Sequence, residues 1–136
     1  MSFDLRQVRV GDCMHHGILS CDASAPLDEV AAIMAKHRVH AVAITNGDGR
    51  RIVAVVSDID VVVAAANGNA PSALEVAATE PLSVSARESV QHAAQLMSEH
   101  GVSHLVVLDA ANGRPSGILS TLDVAALYAN RNGDPA

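Results

Sequence analysis

The stretch "GILSTLD", residues 117–123, ends a short apolar run in Ser120 and places Asp123 three residues later. A serine at the end of a strand, followed by an acid at the third helical position, is the pattern of a helix capping box. The stretch therefore predicts a strand that passes directly into a helix. The letters "GILS" also occur at residues 17–20, but the residues that follow do not align, so we treat that match as chance.

The arrangement occurs a second time in "AVVSDID", residues 54–60. The chain aligns with itself without a gap at an offset of 63 residues, the separation of Asp60 from Asp123. Identical residues at this offset include Ala31 and Ala94, Met34 and Met97, His37 and His100, Val39 and Val102, Ser57 and Ser120, and Val61 and Val124. The duplication predicts two similar halves, residues 7–68 and 70–131, joined near the linker "NGNAPS".

Each half shows the same order of predicted elements. Apolar residues recur at helical spacing in both copies, at Leu27, Val30, Ala31 and Met34 and at Val90, Ala93, Ala94 and Met97. "VHAVAIT" and "VSHLVVL" read as strands, each joined by a turn-rich segment to a second strand, "RIVAVVS" or "SGILS". The Ala-rich "DIDVVVAAA" and "TLDVAALYA" read as the final helices. The sequence thus predicts an α+β fold of two β-α-β-β-α repeats that share one core, because one repeat alone has too little apolar area.

Composition and charge exclude several classes of function. The chain has nine Lys and Arg residues, a net charge of −6, and only one Phe, one Tyr and no Trp among 136 residues. Nucleic-acid binding is disfavoured, because it relies on basic surfaces and aromatic stacking. No apolar stretch approaches the ~20 residues of a membrane span. We expect a cytoplasmic protein whose two cysteines, Cys13 and Cys21, are reduced.

The Ser-x-x-Asp pattern is open to two interpretations from the residues alone. In the first, Ser57 and Ser120 only cap the helices that follow them, with Asp60 and Asp123 near the positive helix end. In the second, the carboxylate at the strand-to-helix junction also accepts hydrogen bonds from the two adjacent hydroxyls of a ribose, with charge-assisted bonds of ~1.5–3 kcal/mol each. The two interpretations are compatible.

The duplicated motif resembles the cystathionine-β-synthase (CBS) domain pair, or Bateman module. "M-x-x-H-x-V" also occurs in both copies, and the resemblance covers nearly the whole chain. It implies two β-α-β-β-α repeats packed about a pseudo-two-fold axis, with two clefts that commonly bind AMP, ADP, ATP or S-adenosylmethionine. The resemblance implies a regulatory ligand of this class, no cofactor and no catalytic residue.

The resemblance also implies which residues form each cleft. One cleft would place the sugar against Ile118, Ser120 and Asp123, and the base against Met14, Gly17, Leu19, Val39, His40 and Ala41. The other would use Val55, Ser57 and Asp60 with Ala77, Glu80, Leu82, Val102 and His104. We expect the Asp123 cleft to be the better site, because Gly117 lets a ligand approach the backbone and Glu80 would oppose a phosphate in the other cleft.

The phosphate side of the ligand is the weaker part of this match. Many AMP-binding members of the family carry a His-Arg pair at the start of the middle strand, where this chain has His40-Ala41 and Ser103-His104. Histidine replaces only part of the planar arginine fork that suits phosphate. We therefore expect recognition of a nucleoside rather than of a polyphosphate.

Other kinds of site find little support. The sequence has no Gly-x-Ser-x-Gly, Walker, CxxC or HExxH motif, so we expect neither an enzyme nor a metal centre. The leading hypothesis is a stand-alone metabolite sensor that forms a homodimer through its apolar final helices and acts on a separate effector protein. A ligand-free interaction scaffold and, with less support, a thiol or metal sensor using Cys13 and the histidines after it are the alternatives.

Overall fold

The computed structural model describes residues 4–47, 51–68, 71–76 and 82–130. The elements are β1 (His15–His16), β2 (Ser20–Asp22), α1 (Leu27–His37), β3 (Ala41–Thr45), β4 (Ile52–Ser57), α2 (Asp58–Ala66), α3 (Ala73–Val76), β5 (Ser83–Ser85), α4 (Val90–His100), β6 (His104–Leu108), β7 (Pro115–Ser120) and α5 (Thr121–Ala129). A 3-10 turn, Val10–Asp12, precedes β1. The predicted order strand, helix, strand, strand, helix is confirmed in both repeats, as is the mixed α and β fold.

The chain forms two compact units whose division differs from that of the repeats. The first unit combines the N-terminal segment up to Gly17 with the residues from Leu82 onward, and the second runs from Ile18 to Pro81. The first unit has a four-stranded sheet in the order β1-β7-β6-β5, and the second a three-stranded sheet in the order β2-β3-β4. The segment up to Gly17, which precedes β2, therefore packs with the second repeat.

The sheets of the two units follow one plan. In the second unit β2 runs parallel to β3, and β3 runs antiparallel to β4. In the first unit β5, β6 and β7 have the same relations, and the ladder shifts register at the equivalent place in both, at Ile44/Thr45 and at Val107/Leu108. The duplicated sequence thus specifies strand pairing down to this irregularity. The first unit also has an edge strand, β1, antiparallel to β7, and the equivalent positions of the second repeat, 78 and 79, lie outside the described residues.

Each unit buries its own apolar cluster at the predicted positions. Val30, Met34, Val42, Ile44 and Val56 lie in the core of the second unit. Their equivalents in the first unit are Ala93, Met97, Leu105, Val107 and Leu119. Aliphatic residues fill both interiors, as a chain nearly without aromatics requires.

The helix ends also follow the sequence. Pro26 precedes the first residue of α1, and Ser89 caps α4 by accepting a hydrogen bond from His92 N at 3.1 Å. Both helices end at a histidine, His37 in α1 and His100 in α4, a residue type that suits the last turn of a helix. In the described part of the chain, no helix is long and apolar enough to cross a membrane.

Candidate functional site

The two strand-to-helix junctions carry the candidate site. Ser57 is the last residue of β4 and Ser120 the last residue of β7, and each has extended backbone and a buried side chain. The helix begins at the next residue, so the acid three positions after each serine lies in the first helical turn. Capping boxes form at both junctions, so both serines and both acids have the predicted capping role.

At the second junction the capping box uses one oxygen of Asp123. Ser120 donates to Asp123 Oδ2 from its backbone N, at 2.8 Å, and from its Oγ, at 3.0 Å. In return, the backbone N of Asp123 donates to Ser120 Oγ at 3.2 Å. The carboxylate is only 11% exposed, so its position is fixed. The other oxygen, Oδ1, lies outside the capping box.

The imidazole of His15 contacts this second oxygen. His15 Nε2 lies 3.1 Å from Asp123 Oδ1, and the His15 side chain is 73% exposed. The contact arises because β1 pairs with β7, with His15 opposite Ile118. At this distance from a carboxylate oxygen, Nε2 carries a proton, an assignment that follows from the contact.

The first junction has the same capping geometry around Asp60. Ser57 donates to Asp60 Oδ2 from its backbone N at 2.8 Å and from its Oγ at 3.1 Å. Nearby, His40 at the entry to β3 forms a hydrogen bond with Asp58, with Nδ1 and Oδ2 2.9 Å apart. The two junctions therefore share their carboxylate geometry and differ in the histidine beside it.

Gly117 is required by the protein's own backbone. A Cβ atom built on Gly117 would overlap the carbonyl oxygen of His15 and lie 2.8 Å from Met14 Sδ. The close approach for which we expected glycine is thus made by β1. Ala54 stands at the equivalent position in the first repeat.

Cys13 lies close to the same carboxylate. Burial, together with the negative charges of Asp123 and then Asp12, raises the pKa of the Cys13 thiol to about 11. Its Sγ lies 3.5 Å from the carbonyl oxygen of Val10 and packs with the apolar cluster of the first unit. A thiol in this environment stays protonated at neutral pH. Across the described ranges, no three His, Cys, Asp or Glu side chains converge as metal ligands.

The predicted site residues divide between the two units. The first unit contains Met14, Gly17, Leu82, Val102, His104, Ile118, Ser120 and Asp123, and the second contains Leu19, Val39, His40, Ala41, Val55, Ser57 and Asp60. Ala77 and Glu80 lie outside the described residues. Each expected cleft draws on both units, so its composition stays a prediction. Within one unit, the structure joins Asp123 to Ser120 and His15.

Sequence reasoning missed the role of His15. From the sequence, the adjacent histidines His15 and His16 suggest only metal ligands. What places His15 at Asp123 is the pairing of the two-residue strand β1 with β7, which are about one hundred residues apart in the chain. Such a short strand has no alternation pattern to indicate it. The nearest signal is Gly117, which marks a close backbone approach.

Comparisons with known proteins agree on one family. A sequence model described as the CBS domain matches residues 10–67 and again residues 73–130. A CBS domain protein from Pyrobaculum aerophilum, solved in complex with AMP, is 30% identical to this chain with a TM-score of 0.77, and the match covers 90% of this chain and 100% of that one. The CBS domain pair of protein MJ0100, solved with 5′-methylthioadenosine and S-adenosyl-L-methionine, has the same fold, with 23% identity, a TM-score of 0.80, and coverage of 90% and 96%.

A curated relative contains this region within a much longer protein. The homoserine O-acetyltransferase of Methanosphaera stadtmanae is 29% identical over 124 residues, which are 91% of this chain and 25% of that protein. The chain thus spans about a quarter of the length of this relative. Two family matches cover most of the sequence and agree with the duplicated fold and its paired junctions. This chain belongs to the CBS domain family, with two CBS repeats.

Proposed function

We propose that this protein is a regulatory module, not an enzyme, that binds an adenosine-containing ligand of the AMP, ADP, ATP or S-adenosylmethionine class and thereby senses a metabolite. The observation that carries the proposal is the fixed carboxylate at each strand-to-helix junction. One oxygen of Asp123 is tied to Ser120, while the other oxygen is outside the capping box. The AMP-bound relative from Pyrobaculum aerophilum, which is similar over 90% of this chain, supports the choice of ligand class.

The chemistry of the sugar fits this carboxylate. The two adjacent hydroxyls of a ribose donate hydrogen bonds, and an ionised carboxylate only accepts them. The Ser120 bonds hold the Asp123 group in place before a ligand arrives, so little ordering is required on binding. Asp60 and Ser57 supply the same arrangement at the first junction, which gives the module two candidate sugar sites.

The residues of this chain match the base end of the ligand better than its phosphate end. The small apolar side chains expected around the base match an adenine ring, and no arginine stands at the start of β3 or β6. We therefore favour a ligand recognised mainly by its nucleoside part. Sensing further requires the ligand to prefer one arrangement of the protein over another.

A homodimer and a separate effector protein belong to the same proposal. Ile59, Val62 and Val63 on α2 are more than half exposed, as are Leu122 and Tyr128 on α5. Large apolar side chains grouped on two helices of this kind are typical of an interaction surface. We infer that a second copy of this chain covers them. A cytoplasmic location, away from nucleic acid and membrane, agrees with the acidic composition and with Cys13 and Cys21 being present as thiols.

Thermal unfolding with a panel of ligands tests the proposal. AMP, ADP, ATP, S-adenosylmethionine, NAD and zinc would each be added to the purified protein, and a ligand at about 100 times its Kd should add about 2.7 kcal/mol of stability. We expect stabilisation by at least one adenosine compound, with weaker binding in Asp123→Asn. Asparagine keeps an acceptor for Ser120 but puts an NH2 group where the ribose needs an acceptor.

Asp60→Asn is the matched variant at the other junction and reports which carboxylate holds the ligand. A panel without any shift would favour the interaction scaffold over the sensor. Stabilisation by zinc alone, abolished by Cys13→Ser, would favour the thiol or metal sensor.

A further inference from the structure

The second oxygen of Asp123 is the group that a ribose would have to reach, and it already has a partner. Oδ2 accepts two hydrogen bonds from Ser120, which leaves Oδ1 with the larger share of the acceptor capacity. His15 Nε2 lies 3.1 Å from Oδ1. An imidazole N–H and a sugar hydroxyl are both donors, so they compete for this oxygen.

We propose that His15 is a built-in competitor for the Asp123 carboxylate, so that a ligand's ribose must displace the imidazole in order to bind. The inference rests on the proposed function and concerns the regulation of the same site. Competition is feasible because the His15 side chain is 73% exposed and can rotate into solvent, whereas the buried carboxylate cannot move without breaking the capping box.

The two repeats differ at this position, which makes the effect specific to one site. The residue 63 positions after His15 is Ala78, whose side chain has no donor. The second repeat therefore has no histidine at the position equivalent to His15, so the Asp60 carboxylate lacks this competitor. The duplicated motif keeps the same carboxylate twice, and in the described part of the chain the competitor, His15 of the first repeat, contacts Asp123 of the second repeat.

Protonation of His15 strengthens the competition. An imidazolium attracts the carboxylate as a cation, and imidazoles commonly gain their second proton between about pH 5 and 8. Among the elements that pack against the pair, β7 contributes no titratable group and α5 contributes Tyr128. The turn before β1 contributes Asp12 and Cys13. His16 is the next residue on β1, and His104 lies opposite Ser120 on β6.

Adenosine is the probe that isolates this effect. It has the ribose hydroxyls but no phosphate, so a protonated imidazole cannot gain affinity through attraction to a phosphate. Calorimetric titration at about pH 5.5 and about pH 8 would compare the wild-type protein with His15→Gln. An exposed ion pair changes an equilibrium by about two- to fivefold. We expect wild-type affinity to fall by this factor at the lower pH, and His15→Gln to bind more tightly there and to lose most of the pH dependence.

His16→Gln is the matched control, because His16 is the same residue type on the same strand and neighbouring strand residues point to opposite faces. It should keep the pH dependence. The inference is wrong if His15→Gln binds adenosine more weakly than the wild type, since His15 would then be a ligand contact. It is equally wrong if the pH dependence survives in His15→Gln. In both cases the proposed function stands, because adenosine binds. Absence of adenosine binding by every variant at both pH values would overturn the competitor, and the proposed function falls with it if AMP, ADP, ATP and S-adenosylmethionine also fail to bind.

Discussion

Arg38 and Gly101 occupy the same position in the two repeats, and both adopt left-handed backbone, with φ of 54° and 64°. Each follows the last residue of the first long helix of its repeat and donates its backbone N–H to a methionine carbonyl one turn earlier, that of Met34 or Met97. The helix therefore ends in the same way in both repeats, but only the second repeat has the glycine that this conformation favours.

Replacing Arg38 with glycine should stabilise the protein by about 0.5–1 kcal/mol. A side chain with a Cβ pays roughly 1–2 kcal/mol in the left-handed region, and the extra freedom of glycine in the unfolded chain offsets part of that gain. Urea denaturation of Arg38→Gly against the wild type measures the difference. Gly101→Ala is the matched control and should lose stability, although its Cβ would meet nothing within 4 Å. Equal stability of Arg38→Gly and the wild type would contradict this account.

Gly117→Ala should destabilise the protein by about 1–3 kcal/mol, because the new methyl group overlaps the His15 carbonyl and the Met14 sulfur. The strain is relieved most easily if β1 moves away from β7. His15 would then leave Asp123, so adenosine binding should lose pH dependence as in His15→Gln. Ala54→Gly, at the equivalent place in β4, should cost less, about 1 kcal/mol, because it only adds backbone freedom and removes one buried methyl group. Unchanged stability in Gly117→Ala would mean that β1 does not press on this residue.

The parts of the fold that follow from repeated sequence patterns could be predicted, and the parts that depend on pairing between distant segments could not. The strand and helix around Ser57 and the strand and helix around Ser120 follow from apolar patterns that occur twice at one offset. β1 has no counterpart pattern, and its place at the sheet edge depends on pairing with residues about one hundred positions away. The placement of the segment up to Gly17 in the unit that continues from Leu82 likewise depends on contacts between distant parts of the chain.

The contacts of the candidate site divide in the same way, into local contacts and contacts between distant segments. The capping contacts of Asp60 and Asp123 are local, within three residues of the chain, and the motif indicates them directly. The contact between His15 and Asp123 joins distant segments, and its nearest signal in the sequence, Gly117, does not name the partner residue. What a sequence motif specifies here is the orientation of the carboxylate. Which group competes for it is decided by tertiary pairing.

The Cys13 thiol should react slowly with iodoacetamide at neutral pH and faster as the pH rises toward 11, because burial and the charges of Asp123 and Asp12 raise its pKa to about 11. The rate would be measured in a Cys21→Ala background, so that only Cys13 reports. Asp123→Asn removes a negative charge and should lower the pKa, which increases the rate at a given pH. Asp12→Asn should have the smaller effect, since its charge contributes less.

The same shift predicts how stability depends on pH. The folded-state pKa of Cys13 lies above the ordinary value of 9.0, so its contribution is complete below pH 9.0 and is lost as the pH rises toward about 11. Cys13→Ser should therefore unfold with less dependence on alkaline pH than the wild type. For the iodoacetamide experiment, a rate that is already maximal near neutral pH would contradict the raised pKa of Cys13. It would show that the thiol is activated and would support the thiol-sensor alternative.

The apolar faces of α2 and α5 give the last prediction. Ile59 and Leu122 are equivalent residues, each the second residue of its helix, and are 57% and 62% exposed. If a second copy covers them, the double variant Ile59→Gln/Leu122→Gln should dissociate, because each apolar side chain is worth about 1.5–3 kcal/mol when buried. Light scattering after size exclusion should show twice the 14.0 kDa of one chain for the wild type and a single chain for the variant.

Leu74→Gln, which replaces an exposed residue on α3, is the control and should leave the dimer intact. Circular dichroism should show the same helical content in all three proteins, since none of the substituted side chains is buried within its unit. A wild-type protein that runs as one chain at every concentration would overturn the dimer and leave these faces to the effector protein.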